Sequence, residues 1–135
     1  MGRAATFSAP DLDTTGVLAR AAADCKWKGG AGGKQAKDAE KWYDRFLQLC
    51  YENPGSSPPL LTGDADCLWH THITFTQQYT NWCNSILGYY LDHIPNVPRR
   101  DPTADEVAIA KKLYAKFGPA VVRTITPDMI VQCQP

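Results

Sequence analysis

The sequence predicts an all-α fold, a single-domain bundle of about four main helices with a short irregular C-terminal segment. Three observations carry this prediction. Apolar residues recur at helical spacing through residues 36–51, 70–90 and 103–117, alternating apolar and polar patterns are scarce, and glycine or proline clusters separate the periodic segments. At 135 residues the chain fits one domain, 1–135, long enough to bury a core without disulfide or metal staples.

Residues 1–12 carry no clear period. Asp13-Thr14-Thr15 offers capping side chains for a first helix through Val17, Leu18, Ala21, Ala22 and Cys25, ending near Lys28. Gly29-Gly-Ala-Gly-Gly33 reads as a flexible break, because residues with so little side chain lose much backbone entropy on ordering. A phosphate-binding loop is the sharper reading of those glycines, but no strand precedes them and the spacing through Lys34 fits neither the P-loop nor the dinucleotide motif. A second helix is expected from about Ala36 to Tyr51, where Ala39, Trp42, Phe46, Leu49 and Cys50 oppose Lys37, Glu40, Asp44 and Gln48. Asn53-Pro-Gly-Ser-Ser-Pro-Pro59 ends it, since prolines cannot continue a helix.

A third helix begins between Asp64 and His70 and reaches about Tyr90, before a rigid extended turn at Ile94-Pro-Asn-Val-Pro98. The last main helix starts at Thr103-Ala-Asp-Glu106, a capping-box pattern, runs through Val107, Ala110, Leu113, Tyr114 and Phe117, and stops at Gly118-Pro119. In residues 120–135, Val121-Val122 and Ile125 fit a short strand, whereas Thr126-Pro127 fits the start of a short last helix.

Fourteen basic residues balance fourteen acidic ones, so no global field draws in nucleic acid or an anionic membrane. Met1-Gly-Arg-Ala-Ala-Thr-Phe7 lacks the apolar segment of a signal peptide, and no run approaches the roughly 20 apolar residues of a membrane span. A soluble, cytoplasmic protein is the expectation. Five cysteines at 25, 50, 67, 83 and 133, without a CxxC pair, argue against a disulfide framework and a four-cysteine zinc site. They are expected to be mostly reduced and buried.

All three histidines, His70, His72 and His93, fall between Asp66 and Pro95. Histidine is the commonest metal ligand, so this concentration points to a site. Two geometries are open. On an ideal helix of about 100° per residue, His72, Thr76, Tyr79, Cys83, Ile86 and Tyr90 share a core-facing stripe, while His70 lies with Asp66 on the other side. If the helix instead starts near Thr71, both rings can converge. Asp64 or Asp66 and His93 would then complete a three-histidine or two-histidine-one-carboxylate site for zinc or iron. A structural reading competes with both, in which Asp66 caps the helix and each histidine is satisfied by hydrogen bonds. Activation of Cys83 by His72 is rejected, because they stand about 16 Å apart along a helix rising 1.5 Å per residue. His93 is a nearer partner for Cys83, but a buried structural cysteine is the simpler reading.

Asp66-x-x-Trp69-His70-x-His72-Ile73, followed by Thr76, Tyr79, Cys83, Gly88 and His93-x-Pro95, resembles the core of the glycine-rich domain-containing protein-like family. The likeness extends to Tyr43-x-x-Phe46-Leu47 and Leu113-Tyr114-x-x-Phe117-Gly118, spanning residues 40–118. It implies a helical domain and little about activity. Members often carry a second histidine beside the position of His93, where this chain has Asp92, and the glycine-rich tail of some members is absent.

Two functions follow from these residues. In one, a small metal-dependent enzyme acts on a small organic substrate, with His70, His72, His93 and Asp66 as ligands to zinc or iron. Trp69, Asp92, Thr76, Tyr79 and Cys83 then surround the ion or line its pocket. In the other, a non-catalytic module uses the histidines to pin the third helix to its exit loop and meets a protein partner through Trp27 or Trp82. The helical wheel further predicts that His72, Tyr79 and Cys83 are buried, while Gln77, Gln78, Asn81 and Asn84 face solvent.

Overall fold

Phe46 and Trp69 meet with ring centroids 4.9 Å apart, and the main core is built around this contact. Phe46 belongs to α2 (Lys34–Glu52), and Trp69 to α3 (Gly63–Thr74). The computed structural model describes residues 2–95, 101–131 and 133–134. Ala36, Ala39, Tyr43, Phe46, Leu47 and Cys50 of α2 join Leu68 and Trp69 of α3 in this core. Leu49, around the helix from them, joins Ala110 and Tyr114 of α5 (Ala104–Tyr114) in a second cluster with Leu61, Ile125 and Ile130. Each large buried side chain contributes about 1.5–3 kcal/mol. That outweighs the exposed ion pairs Arg20–Asp24 and Lys34–Asp38, which solvent screens.

Helix α1 (Val17–Asp24) buries Val17, Leu18, Ala21 and Ala22. Its N-cap is Gly16, without a side-chain bond, so the expected capping by Asp13-Thr14-Thr15 gives way to a turn organised by Asp11, whose carboxylate accepts from the Asp13 and Thr14 backbones. The helix ends at Asp24, short of Lys28. The glycine run is a closed 3-10 turn (Gly30–Gly32), not a flexible break. A Cβ on Gly33 would stand 2.6 Å from the Lys28 carbonyl oxygen, a contact only glycine tolerates.

The expectation of mostly reduced cysteines is corrected at one pair. Cys25, the C-cap of α1, is joined to Cys67 on α3 by a disulfide, their Cα atoms 6.3 Å apart. The 42-residue separation hid it, because the packing of α1 against α3 brings the two together. Cys50 and Cys83 are free and buried.

The expected third helix is two helices with a corner. Helix α3 stops at Phe75, whose ψ of 66° lies outside the helical range, and α4 (Thr76–Trp82) starts in a new direction. A π-helical turn, Cys83–Leu87, extends α4 and ends at Gly88 in the left-handed conformation (φ 84°). A Cβ at Gly88 would meet the Arg3 nitrogen at 2.8 Å, so the N-terminal segment passes this point closely. Beyond it, β1 (Ile94–Pro95) pairs antiparallel with β2 (Cys133–Gln134), two residues each. The rest of the turn expected through Pro98 lies outside the described residues.

Thr103 and Glu106 form the expected capping box on α5. A 3-10 turn (Ala115–Phe117) follows, and then α6 (Pro119–Thr124), which places Val121 and Val122 in a helix and not a strand. Pro119 at the first position favours this outcome, its φ being preset for a helix. Thr126-Pro127 opens a 3-10 turn (Pro127–Met129). Among the described residues no helix is long and apolar enough to cross a membrane.

Two buried ionisable groups set opposing pH slopes. Burial first, and then the neighbouring Glu40 charge, raise the pKa of Asp44 on α2 to about 7, and its Oδ1 has no hydrogen-bond partner. Burial lowers the His72 pKa to about 4. Asp44 keeps a proton in the folded state that the unfolded chain loses, so its contribution falls as pH rises from about 4 to about 7. His72 refuses a proton that the unfolded chain binds, so its contribution is present above about 6.5 and is lost as pH falls toward 4. The two slopes oppose each other in the intact protein. Asp44→Asn is expected to raise unfolding free energy by on the order of 1–2 kcal/mol at pH 8, after discount for partial exposure, and to leave it unchanged near pH 4. Urea denaturation at both pH values measures this, and the acid loss due to His72 should then stand out.

Candidate metal centre

The first turn of α3 is fixed before any site residue appears. Thr62 takes a positive φ of 74° and caps the helix by accepting from the Ala65 amide at 3.2 Å, while its own amide donates to the Met129 carbonyl at 2.7 Å. Asp64 accepts from the Trp27 indole at 3.2 Å and from Gln35 at 3.1 Å. Both carboxylates of this turn, Asp64 and Asp66, sit where the helix dipole favours negative charge.

Four residues separate Asp66 from His70, one helical turn, so the two side chains share a face, with Asp66 Oδ1 3.5 Å from His70 Nε2. His93 arrives on the exit loop beyond Gly88, and its Nε2 lies 2.8 Å from the same Asp66 oxygen. The three residues each offer a ligand atom, all within 4.8 Å of one another, the one such group among the described residues. The His70 side chain is 57% exposed against 23% for Asp66 and 11% for His93, so the group is walled on the loop side and open to solvent on the other.

A buried polar chain holds the loop that delivers His93. The Trp69 indole N–H donates to the Tyr79 hydroxyl at 2.9 Å, and that hydroxyl donates to the Leu91 carbonyl at 2.5 Å. Trp69, Tyr79 and Leu91 are all buried. The Trp69 ring lies 4.1 Å from the His93 ring between centroids, so the same indole that anchors the loop also forms the wall behind the ligand.

The structure does not bring His72 to this group. Because α3 is helical from Gly63 onward, His72 stands about 160° around the axis from His70, which is the first of the two geometries. It is buried, and its Nδ1 shares a 2.7 Å hydrogen bond with the Tyr43 hydroxyl. Its assignment as a metal ligand is therefore withdrawn in favour of a core role. Tyr43, which sequence reasoning placed only in the family-like segment, is the partner that satisfies it.

The surrounding residues divide as well. Asp92 is exposed and outside the group, and Thr76 is exposed at the start of α4 instead of on the buried stripe, because the Phe75 corner rotates α4 away from the expected register. Tyr79 and Cys83 are buried with His72, and Gln77, Gln78, Asn81 and Asn84 are exposed, as the wheel predicts. Burial pushes the Cys83 thiol pKa up, the reverse of what a thiolate nucleophile needs. Trp27 is buried at 5% exposure and so offers no surface to a partner, while the half-buried Trp82 donates to the Ser8 carbonyl.

The donor set fits a metal ion. Ligands about 2.1 Å from a common ion stand about 3.0 Å apart at right angles and about 3.4 Å apart in a tetrahedron, and the 2.8 and 3.5 Å separations from Asp66 fall just below and just above that range. Three protein ligands leave coordination positions open on the exposed side.

Tyr79→Phe removes the shared hydroxyl and leaves the Trp69 N–H and the Leu91 carbonyl buried without it. The expected loss is on the order of 2–3 kcal/mol in urea denaturation. Amide hydrogen exchange should show the loss of protection concentrated in residues 88–93, with helix α2 retained.

Comparison with known proteins adds one finding. Neither the curated proteins nor the solved structures contain a match to the chain. A family model described as UCP032817-like matches residues 30–121, which take in α2 through α5, the exit loop and all three members of the metal-ligand group. With more than half of its length matched, the chain belongs to the UCP032817-like family.

Proposed function

We propose that this protein is a small metal-dependent enzyme whose Asp66, His70 and His93 hold a divalent ion and whose open coordination positions receive a small organic substrate. The observation that carries this reading is the convergence of two histidine nitrogens on one Asp66 oxygen, at 2.8 and 3.5 Å, beside an open face. Two imidazoles and one carboxylate suit zinc or non-haem iron, and open positions on such an ion supply Lewis-acid or redox chemistry. In this reading Trp69 walls the site and Tyr79 positions the loop ligand. The likeness of the Asp66-to-Pro95 motif to the glycine-rich domain-containing protein-like family belongs to the same proposal. So does a cytoplasmic location, with the condition that a reducing interior opens the Cys25–Cys67 bond.

A second reading has an observation of its own. The 2.8 Å contact is already a good hydrogen bond, so Asp66 and His93 alone can pin the exit loop to α3 in a non-catalytic module that binds a protein partner. Metal content separates the two. Protein purified without a histidine tag is expected to carry close to one zinc or iron per chain by elemental analysis. Asp66→Asn and His93→Ala should each lower metal affinity by at least tenfold, and His72→Ala should retain the ion. A metal-free protein that takes up neither ion on titration favours the module.

A further inference from the structure

Arg45 presents an unusual combination on a face of α2 away from Tyr43 and His72. Its guanidinium stacks over the Trp42 ring at 4.8 Å and stands 5.8 Å from the Phe117 ring. Among the described residues no carboxylate or carbonyl pairs with it, although it is partly buried and burial lowers its pKa. A guanidinium has five N–H donors in a planar fork, and stacking fixes the plane of that fork without using the donors.

Arg45 lines a cavity of about 300 Å³ between α2 and α6. Lys41, one turn earlier on the same helix, lines it too and is also without a carboxylate partner. The third charged residue of the lining, Asp38, is already paired with Lys34 at 2.6 Å. Val121 and Met129 supply an apolar wall.

We propose that this cavity binds a small organic anion, its carboxylate bridged by Arg45 and Lys41 and its apolar body laid against Trp42, Val121 and Met129. A carboxylate matches the guanidinium fork with two parallel hydrogen bonds. An inorganic phosphate would leave the apolar wall of Trp42, Val121 and Met129 without a partner. The site is independent of the metal reading, since it shares no residue with Asp66, His70 or His93.

Hexanoate is a suitable probe, titrated into the intact isotope-labelled protein and followed by amide and indole NMR shifts, with hexan-1-ol and inorganic phosphate as controls at equal ionic strength. Saturable shifts centred on Trp42, Arg45 and Val121 are expected for hexanoate and much weaker ones for the controls. Arg45→Gln should raise the dissociation constant about tenfold or more, the scale of a lost charge-assisted pair. Arg45→Lys keeps the charge but not the fork and should recover only part of the affinity. If Arg45→Gln unfolds, Lys41→Gln at an exposed position still tests the charge pairing by a several-fold weakening. The proposal is overturned by absence of saturable binding, by equal binding of either control, by affinity unchanged in the charge variants, or by shifts centred on His70 and His93.

Discussion

The Tyr79 hydroxyl takes the Trp69 indole N–H and gives its own proton to the Leu91 carbonyl, so one oxygen joins α3, α4 and the exit loop. That pair works with the burial of Leu91, the packing of Trp69 on the His93 ring and the β1–β2 pairing to place His93 against Asp66. All three partners lie in the core, where an unmade hydrogen bond costs more than a made one contributes. The loop is thus tied to the helices by the penalty for letting go. Trp69 then serves twice, since the indole fixed by Tyr79 also packs on the His93 ring and, through Phe46, on α2.

The same geometry explains how the histidines divide. A helix that runs unbroken from Gly63 to Thr74 puts residues four apart together and residues two apart on opposite sides. Asp66 and His70 therefore share a solvent-facing edge, while His72 is driven into the core, where Tyr43 satisfies it and burial keeps it neutral near pH 7. Two histidines within one HxH motif end in environments that differ in exposure and partner, and only one of them can meet a solvent-borne ion. The corner at Phe75 matters to the second half of this arrangement, because it turns α4 so that Tyr79 reaches back toward Trp69.

Much of this was legible in the sequence, for identifiable reasons. Periodicity located α2 and the capping box located α5, because both signals are local. The wheel correctly buried His72, Tyr79 and Cys83 together, even though the helix breaks between them, since the corner happens to preserve those contacts while exposing Thr76. What could not be read was non-local. The Cys25–Cys67 bond depends on how α1 crosses α3, whereas the histidine clustering did point to Asp66 and His93 together, and only the loop path past Gly88 and Tyr79 that joins them was hidden. The choice between the two histidine geometries turned on where α3 begins, and Thr62 caps that start with a positive φ of 74° that a β-branched residue rarely adopts.

A chain with no net charge still separates its charges locally, and α2 is the element that does so. Toward α3 it presents Tyr43, Phe46 and Leu47, which bury His72 neutral and support the ligand-bearing helix. Around the same helix, Lys41 and Arg45 hold positive charge against the α6 side, where Trp42 supports a guanidinium that pairs with no carboxylate among the described residues. Global composition excluded a strong field, but it could not exclude two local ones of different character, because a balance summed over the chain carries no information about placement. The acidic and imidazole donors on α3 and its loop favour a cation, and the cavity on α2 favours an anion. One central helix can serve both because its apolar residues extend around more than one face, packing α3 through Phe46 and α5 through Leu49, so that each charged edge rests on a rigid support.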